Sequence, residues 1–217
     1  MEKEIIDRTE KALLANGFRV KRLERKEDVK SYLMSVMKEG SSCAVGGSVS
    51  LFECDVFSLL RSGRYEFHDR YEEGVDLKEI YRRSFSVDYY LASANAITEK
   101  GELMFIDGRG NRVAAIAYGP DNVILIVSTK KICKNIRDAW LRCKRVACPK
   151  NVKRLGIDAY CAEKGECINT EFSDEDLLLG GARGCRNTIC SDTLILSRQT
   201  SVKDRITVVL VEEGIGY

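Results

Sequence analysis

Five consecutive apolar residues, Val123-Ile124-Leu125-Ile126-Val127, limit the fold more than any other feature of the chain. Successive side chains of a strand point to opposite faces, so an unbroken apolar run needs cover on both. That requirement implies a sheet buried between helices. The run Val87 to Ala92 reads as a second buried strand, and shorter strands are expected over Phe18 to Leu23, Ser42 to Val45 and Tyr65 to Phe67. Helical stretches alternate with them. Val29, Tyr32, Leu33, Val36 and Met37 fall at i, i+3, i+4, i+7 and i+8, with Gly40 as a stop. Further helices are expected over about Lys3 to Ala15, Leu51 to Arg61, Asp76 to Arg83 and Ile132 to Cys143. Pro149 suits the first turn of another, and Pro120 is expected in a turn between two strands. Near the carboxyl terminus, Thr193 to Leu196 and Ile206 to Val211 flank a polar turn and read as a hairpin completing the sheet. The alternation predicts a single three-layer α/β/α domain over residues 1–217 with a mainly parallel or mixed sheet. Within it, about 1–40 hold the amino-terminal helices and about 156–192 a cysteine-bearing loop region.

Lysine plus arginine (35) nearly cancels aspartate plus glutamate (33), and a net charge of +2 gives no electrostatic case for nucleic acid or an anionic membrane. A small anionic ligand remains compatible with that balance. No apolar run approaches about 18 residues, and the start Met1-Glu2-Lys3-Glu4 is no secretory signal, so the expectation is a cytoplasmic protein. Nine cysteines in such a chain argue for reduced thiols or metal ligands ahead of a disulfide framework.

The segment from Ser93 to Val113 concentrates residues that carry chemistry. It begins where the Val87 to Ala92 strand leaves the sheet, and ligands of open α/β sheets gather at such carboxyl ends. Asn95 can hold a carbonyl or hydroxyl through its amide but cannot exchange a proton at neutral pH. Glu99, Glu102 and Asp107 are the nearby carboxylates, Glu99 and Asp107 being the candidates for proton transfer, and Arg112 could clamp a carboxylate with two hydrogen bonds. Asn111 and the glycines also fit a hairpin that simply needs positive φ angles. Upstream, Gly46-Gly47-Ser48 lies between a strand and a helix, where glycines admit a ligand to the backbone and the helix start offers free N–H groups. Ser48 or Ser50 equally suits a helix N-cap. The single histidine, His68, precedes Asp69-Arg70-Tyr71; with no Gly-x-Ser-x-Gly elbow in the chain, Asp69, Arg70 and Tyr71 are favoured as supporting or ligand-facing residues over His68 as a general base.

Asn95-Ala96-Ile97-Thr98-Glu99-Lys100-Gly101-Glu102-Leu103 followed by Asp107-Gly108-Arg109-Gly110-Asn111-Arg112-Val113 resembles the signature of the LUD domain, the family that includes lactate utilisation protein C. Gly46-Gly47-Ser48, Asp69-Arg70-Tyr71 and the ending Glu212 to Tyr217 resemble the same family at corresponding places. The resemblance implies a relative of the superfold shared by ribose-5-phosphate isomerases, glucosamine-phosphate deaminases, CoA transferases and formyltetrahydrofolate cyclo-ligases, in which a glycine-rich loop holds phosphate or CoA. Methylthioribose-1-phosphate isomerases carry a catalytic aspartate where this chain has Asn95, so their chemistry does not transfer.

Cys161 and Cys167 are separated by five residues and Cys185 and Cys190 by four. Four thiolates suit a tetrahedral zinc or an iron–sulfur cluster, although neither pair has the tight Cys-x-x-Cys spacing. Cys161 to Cys167 also resembles the Cys-Ala-x-x-Gly-x-Cys of LUD proteins, while Ile168 to Gly184 is longer than the usual link. Metal binding would be coupled to ordering of that link.

Two functional classes follow. The resemblance implies a component of L-lactate oxidation to pyruvate that binds a small carboxylate or phosphorylated ligand and works with separate iron–sulfur partner proteins, since the chain has no flavin or nicotinamide fingerprint. In that reading Gly46, Gly47, Ser48, Asn95, Glu99, Asn111 and Arg112 surround the ligand. The alternative is a stand-alone enzyme of the sugar-phosphate isomerase, CoA-transferase or formyltetrahydrofolate cyclo-ligase type. A homo-oligomer is compatible with either.

Overall fold

A computed structural model describes residues 2–168 and 185–217. In chain order its elements are α1 (Glu2–Ala15), β1 (Arg19–Leu23), α2 (Asp28–Val36), β2 (Ser42–Val45), α3 (Val49–Glu53), α4 (Val56–Leu60), β3 (Glu66–His68), α5 (Leu77–Arg83), β4 (Tyr89–Ala92), β5 (Ala96–Thr98) and β6 (Leu103–Asp107). There follow α6 (Asn111–Ala117), β7 (Asn122–Ser128), β8 (Ile132–Cys133), α7 (Ile136–Arg142), a π-helical turn (Cys143–Ala147), α8 (Cys148–Arg154), α9 (Tyr160–Lys164), β9 (Asp192–Leu196) and β10 (Ile206–Val211).

Six strands form a parallel sheet in the order β1-β10-β7-β4-β2-β3. The apolar run in β7 does what its composition demands. Val123, Leu125 and Val127 enter a core with Leu13 of α1 and Val113, Ala115 and Ile116 of α6, whereas Ile124 and Ile126 enter the opposite core with Val29, Leu33, Leu51 and Phe57 of α2 to α4. Both faces are therefore covered and the α/β class holds. One face carries more than helices: β5, β6, β8 and β9 form a second, four-stranded sheet in the order β8-β5-β6-β9. Its Leu103 and Phe105 point into the first core, and Met104 and Ile106 pack against Trp140 of α7 on the far side.

Several local readings are corrected. β9 and β10 are not a hairpin: β9 pairs antiparallel with β6, while β10 lies parallel between β1 and β7. The burial patterns give the reason. All six residues of β10 are buried, which only a central strand of a covered sheet provides, whereas β9 alternates between half-buried and exposed positions as an edge strand does. The helix expected over Leu51 to Arg61 is broken at Asp55, whose left-handed φ of 51° is supported by carboxylate contacts to Lys30 (2.6 Å) and Ser58 (2.8 Å). Ile132 and Cys133 pair with β5, so α7 begins only at Ile136, after Asn135 has capped it by accepting from Asp138 N at 2.9 Å. Asn111 opens α6 behind Gly110 (φ 74°) and is no hairpin residue, so Pro120 joins a helix to a strand. Asp76 caps α5 through Lys78 N and Glu79 N. Most of the link Ile168 to Gly184 lies outside the described residues.

Candidate ligand-binding site

Parallel strands deliver whatever follows their carboxyl ends to one edge of the sheet. Here the neighbours β7, β4, β2 and β3 are followed by Lys131, Ser93 with Asn95, Gly47 with Ser48 and Ser50, and Arg70 with Tyr71. All of these line one cavity of about 530 Å³, closed further by Asp107, Gly108, Arg109, Asn111 and Arg112, by Asn151 and Arg154 of α8, and by Tyr217. The two loops singled out by sequence thus meet, with Ser48 and Asn95 in the same concavity.

The Asn95 side of that cavity is a closed hydrogen-bond network. Arg112 donates from Nη1 to Ser93 O (3.0 Å), from Nη2 to Asn95 Oδ1 (3.0 Å) and Ile106 O (2.6 Å), and pairs through Nε with Asp107 Oδ2 (3.2 Å). The other Asp107 oxygen accepts from the N–H groups of Arg109 (3.1 Å) and Gly110 (3.2 Å), which fixes the turn into α6. Asn95 Oδ1 also accepts from Ile106 N at 3.0 Å, and Arg142 donates to Asn95 O at 2.5 Å. Gly46 belongs to this wall without lining the cavity: a Cβ on it would stand 2.9 Å from Arg112 Cγ and 3.0 Å from the Tyr90 hydroxyl, so only glycine lets β2 approach the arginine. Asn111 lines the cavity from the first turn of α6.

Elsewhere the lining has donors to spare. Of its five cations, Arg70, Arg109, Arg112, Lys131 and Arg154, only Arg112 pairs with a carboxylate among the described residues, and Asp107 is the one acidic side chain in the lining. Arg70 donates to the Tyr81 hydroxyl (2.8 Å), its guanidinium 4.9 Å from the ring centre of Tyr81 and 5.5 Å from that of Tyr71. Arg154 bonds only neutral partners, Asn151 and Tyr217. Lys131, 2% exposed, donates to Ser50 Oγ (3.1 Å), Ser93 Oγ (3.2 Å) and Ala94 O (3.4 Å). Burial, followed by the charges of Arg142 and Arg112, lowers its pKa from the usual lysine value to about 7. Sequence reasoning missed Lys131; the available signal was its place just beyond the β7 run.

Other sequence candidates lie apart from the cavity. Glu99 is carried away by β5 to a turn against α1, where it pairs with Arg8. Asp69 is buried beside the cavity but not in its lining, its carboxylate taken by Arg61 Nε (2.7 Å) and Tyr71 N (2.9 Å). His68 faces Glu66 at 3.7 Å. Glu102 is engaged with the Thr98 hydroxyl.

Among the described residues no group of three or more His, Cys, Asp or Glu side chains is arranged to hold a metal ion. Cys161, Cys167, Cys185 and Cys190 share a neighbourhood, and after burial the other three contribute to raising the Cys161 pKa. As placed, the four thiols form no ligand set for zinc or a cluster among the described residues. Cys190 instead pairs with Cys148: the Cys148 thiol donates, so its own pKa rises, while Cys190 is pulled down by that bond and by the nearby charge of Lys144. Lys144 is fully buried in the π-helical turn, 5.5 Å from the Trp140 ring centre. Cys43, Cys54 and Cys143 are core residues whose pKa values burial pushes up to about 12.

No helix among the described residues is long and apolar enough to cross a membrane. No curated protein matches the chain significantly. Among solved structures, a DUF162 family protein from Deinococcus radiodurans superposes with a TM-score of 0.53 at 14% identity, over 98% of this chain and 99% of that one, which supports the fold. Ribose 5-phosphate isomerase from Plasmodium falciparum matches only 51% of this chain and 52% of its own, with 17% identity and a TM-score of 0.33. The model of the LUD domain matches residues 6–211, nearly the full length described above, and the chain therefore belongs to the LUD domain family.

Proposed function

We propose that this LUD-domain protein binds a small anionic ligand in the cavity at the carboxyl ends of β7, β4, β2 and β3, as a component of L-lactate oxidation to pyruvate. The observation that carries the reading is charge: five cationic side chains and one acidic side chain line the cavity, and the acidic one is already paired with Arg112. An anion entering there meets Arg70 and Arg109, neither of which has an ion pair to replace among the described residues. Electrons leaving the substrate would pass to separate iron–sulfur partner proteins, the role implied by the family resemblance. The test is turnover. Purified chain should not oxidise L-lactate by itself and should do so once the iron–sulfur partners are supplied; lactate oxidation by the partners at the same rate without this chain would refute the assignment.

Cavity size favours a second reading. About 530 Å³ is far more than a three-carbon acid fills, and lies in the range of pockets that enclose ligands several times larger. With Tyr71, Tyr81, Leu77 and Leu155 in the lining beside its cations, it suits a phosphorylated molecule with an apolar or planar portion. That is the stand-alone enzyme of the isomerase, CoA-transferase or cyclo-ligase kind. Turnover of a phosphorylated substrate by the isolated chain would decide for it.

A further inference from the structure

The three groups at the floor of the cavity form a triangle: Lys131 Nζ lies 3.1 Å from Ser50 Oγ and 3.2 Å from Ser93 Oγ, and Ser50 Oγ lies 3.3 Å from Ser93 Oγ. They come from three strand ends and are each at most 5% exposed, yet all line the cavity. The tail shapes this floor closely. A Cβ at Gly216 would stand 2.3 Å from Ser50 Oγ and 3.0 Å from Lys131 Nζ. A lysine serving only as a structural cation would be expected to face a carboxylate, and Lys131 has no such ion pair among the described residues. The charged groups around it are Arg142 and Arg112, with Glu53 and the Cys143 thiol as weaker opposing influences.

We propose that Lys131 is a nucleophilic amine that forms an imine with the oxo group of an anionic ligand, a 2-oxo acid or a keto-phosphate, with Ser50 and Ser93 relaying protons. The proposal rests on the anionic-ligand reading above and adds the reacting atom. Arg70 or Arg109 would hold the carboxylate or phosphate while the carbonyl lies against Nζ. The nitrogen lone pair attacks the carbonyl carbon, the C=O pair moves to oxygen, and one amine proton reaches that oxygen through the hydroxyls to give a carbinolamine. The carbinolamine hydroxyl then leaves with the second amine proton as water, and the C–N bond becomes C=N. No oxidant or reductant is consumed. Reactivity follows from protonation: with a pKa of about 7 rather than 10.5, roughly a thousandfold more of this amine than of a solvated lysine is free base at neutral pH.

The experiment is reductive trapping. The full chain at about pH 8, above the amine's pKa of about 7, is incubated with sodium cyanoborohydride and either pyruvate or dihydroxyacetone phosphate, then mapped by peptide mass spectrometry. The expected result, with at least one probe, is an adduct on Lys131 formed at least tenfold faster than on the average lysine, absent in Lys131→Arg and slowed in Ser50→Ala. Labelling spread over exposed lysines with both probes, or a Lys131 left unmodified, overturns the proposal. Isothermal titration with pyruvate and with inorganic phosphate separates the two levels. Binding without an adduct on Lys131 removes the imine and keeps the anion site, whereas neither binding nor adduct removes both.

Discussion

The two walls of the cavity differ in how their polar groups are used. On the wall built from Ser93, Asn95, Ile106, Asp107 and Arg112, the polar groups serve the fold: Arg112 meets Ser93, Asn95, Ile106 and Asp107, and Asp107 in turn holds the next turn of chain. By contrast Arg70, Arg154 and, within the same segment, Arg109 pair with no carboxylate among the described residues, and Lys131 donates only to neutral oxygens. The stretch densest in motif residues therefore mainly builds the cavity, and Arg109 with residues scattered over the rest of the chain is left to contact the ligand. A charge already matched within the fold has little to offer an incoming anion.

Arg112→Met tests this most severely. It strips the partner from a carboxylate that is 9% exposed and frees two backbone carbonyls and the Asn95 amide. Breaking a buried ion pair in that way costs about 3 to 5 kcal/mol. Urea unfolding should show a loss of that size with ligand affinity changed only through instability. A stable variant that no longer binds phosphate or pyruvate would reverse the roles assigned to the walls.

Arg70→Gln makes the complementary change. Its guanidinium bonds one neutral hydroxyl and rests on two tyrosine rings, so stability should shift by less than about 1 kcal/mol. A lost charge-assisted contact to an anion is worth about 1.5 to 3 kcal/mol, or roughly 10- to 150-fold in affinity. Titration calorimetry with inorganic phosphate reads it directly. Unchanged affinity in both Arg70→Gln and Arg109→Gln would mean that these two arginines do not face the ligand.

The same contrast explains what could be read from the sequence. β7 was legible because an apolar run carries its own requirement for cover on both faces, and the same logic applied to Ile206 to Val211 would have placed β10 in the central sheet instead of a hairpin. Gly47, Ser48 and Asn95 were legible as residues at strand ends, a local property. Lys131 was not, because its meaning comes from Ser50 and Ser93, which lie 81 and 38 residues away and reach it only through parallel crossovers. Glu99 shows the opposite error. Proximity to Asn95 in sequence suggested a shared site, but β5 runs away from the cavity and delivers Glu99 to α1. The Cys148 to Cys190 contact was hidden for the same reason as Lys131, since it joins α8 to the residues just before β9.

Protonation of Lys131 gives the wall of spare donors a signature in stability. Between about pH 7 and the ordinary lysine pKa of 10.5, the unfolded chain binds a proton that the folded chain does not, so stability rises with pH across that window. The slope from this one group is about 1.4 kcal/mol per pH unit well inside it. The raised cysteine pKa values act in the opposite direction only above pH 9, where unfolded thiols lose protons first. Urea unfolding of the natural chain and of Lys131→Met at pH 7, 8 and 9 isolates the lysine. The difference between the two should change with pH by about that slope, and parallel curves would show that the amine stays charged in the fold.

The smallest effect is expected at Glu99, and its smallness is informative. Its partner Arg8 is 58% exposed at the side chain and Glu99 itself 20%, so the pair resembles surface ion pairs worth about 0 to 1 kcal/mol. Glu99→Gln should lower stability by no more than that, more at low salt than at high, because solvent ions screen an exposed pair. It should leave phosphate binding, pyruvate binding and Lys131 trapping unaltered, since the carboxylate sits on the α1 side of the β5 turn and outside the cavity lining. A large loss of turnover in Glu99→Gln with the fold intact would require the turn to move to the cavity when ligand is present. That outcome would return the proton-transfer role to the carboxylate that the sequence motif first suggested and take it from the Lys131 floor.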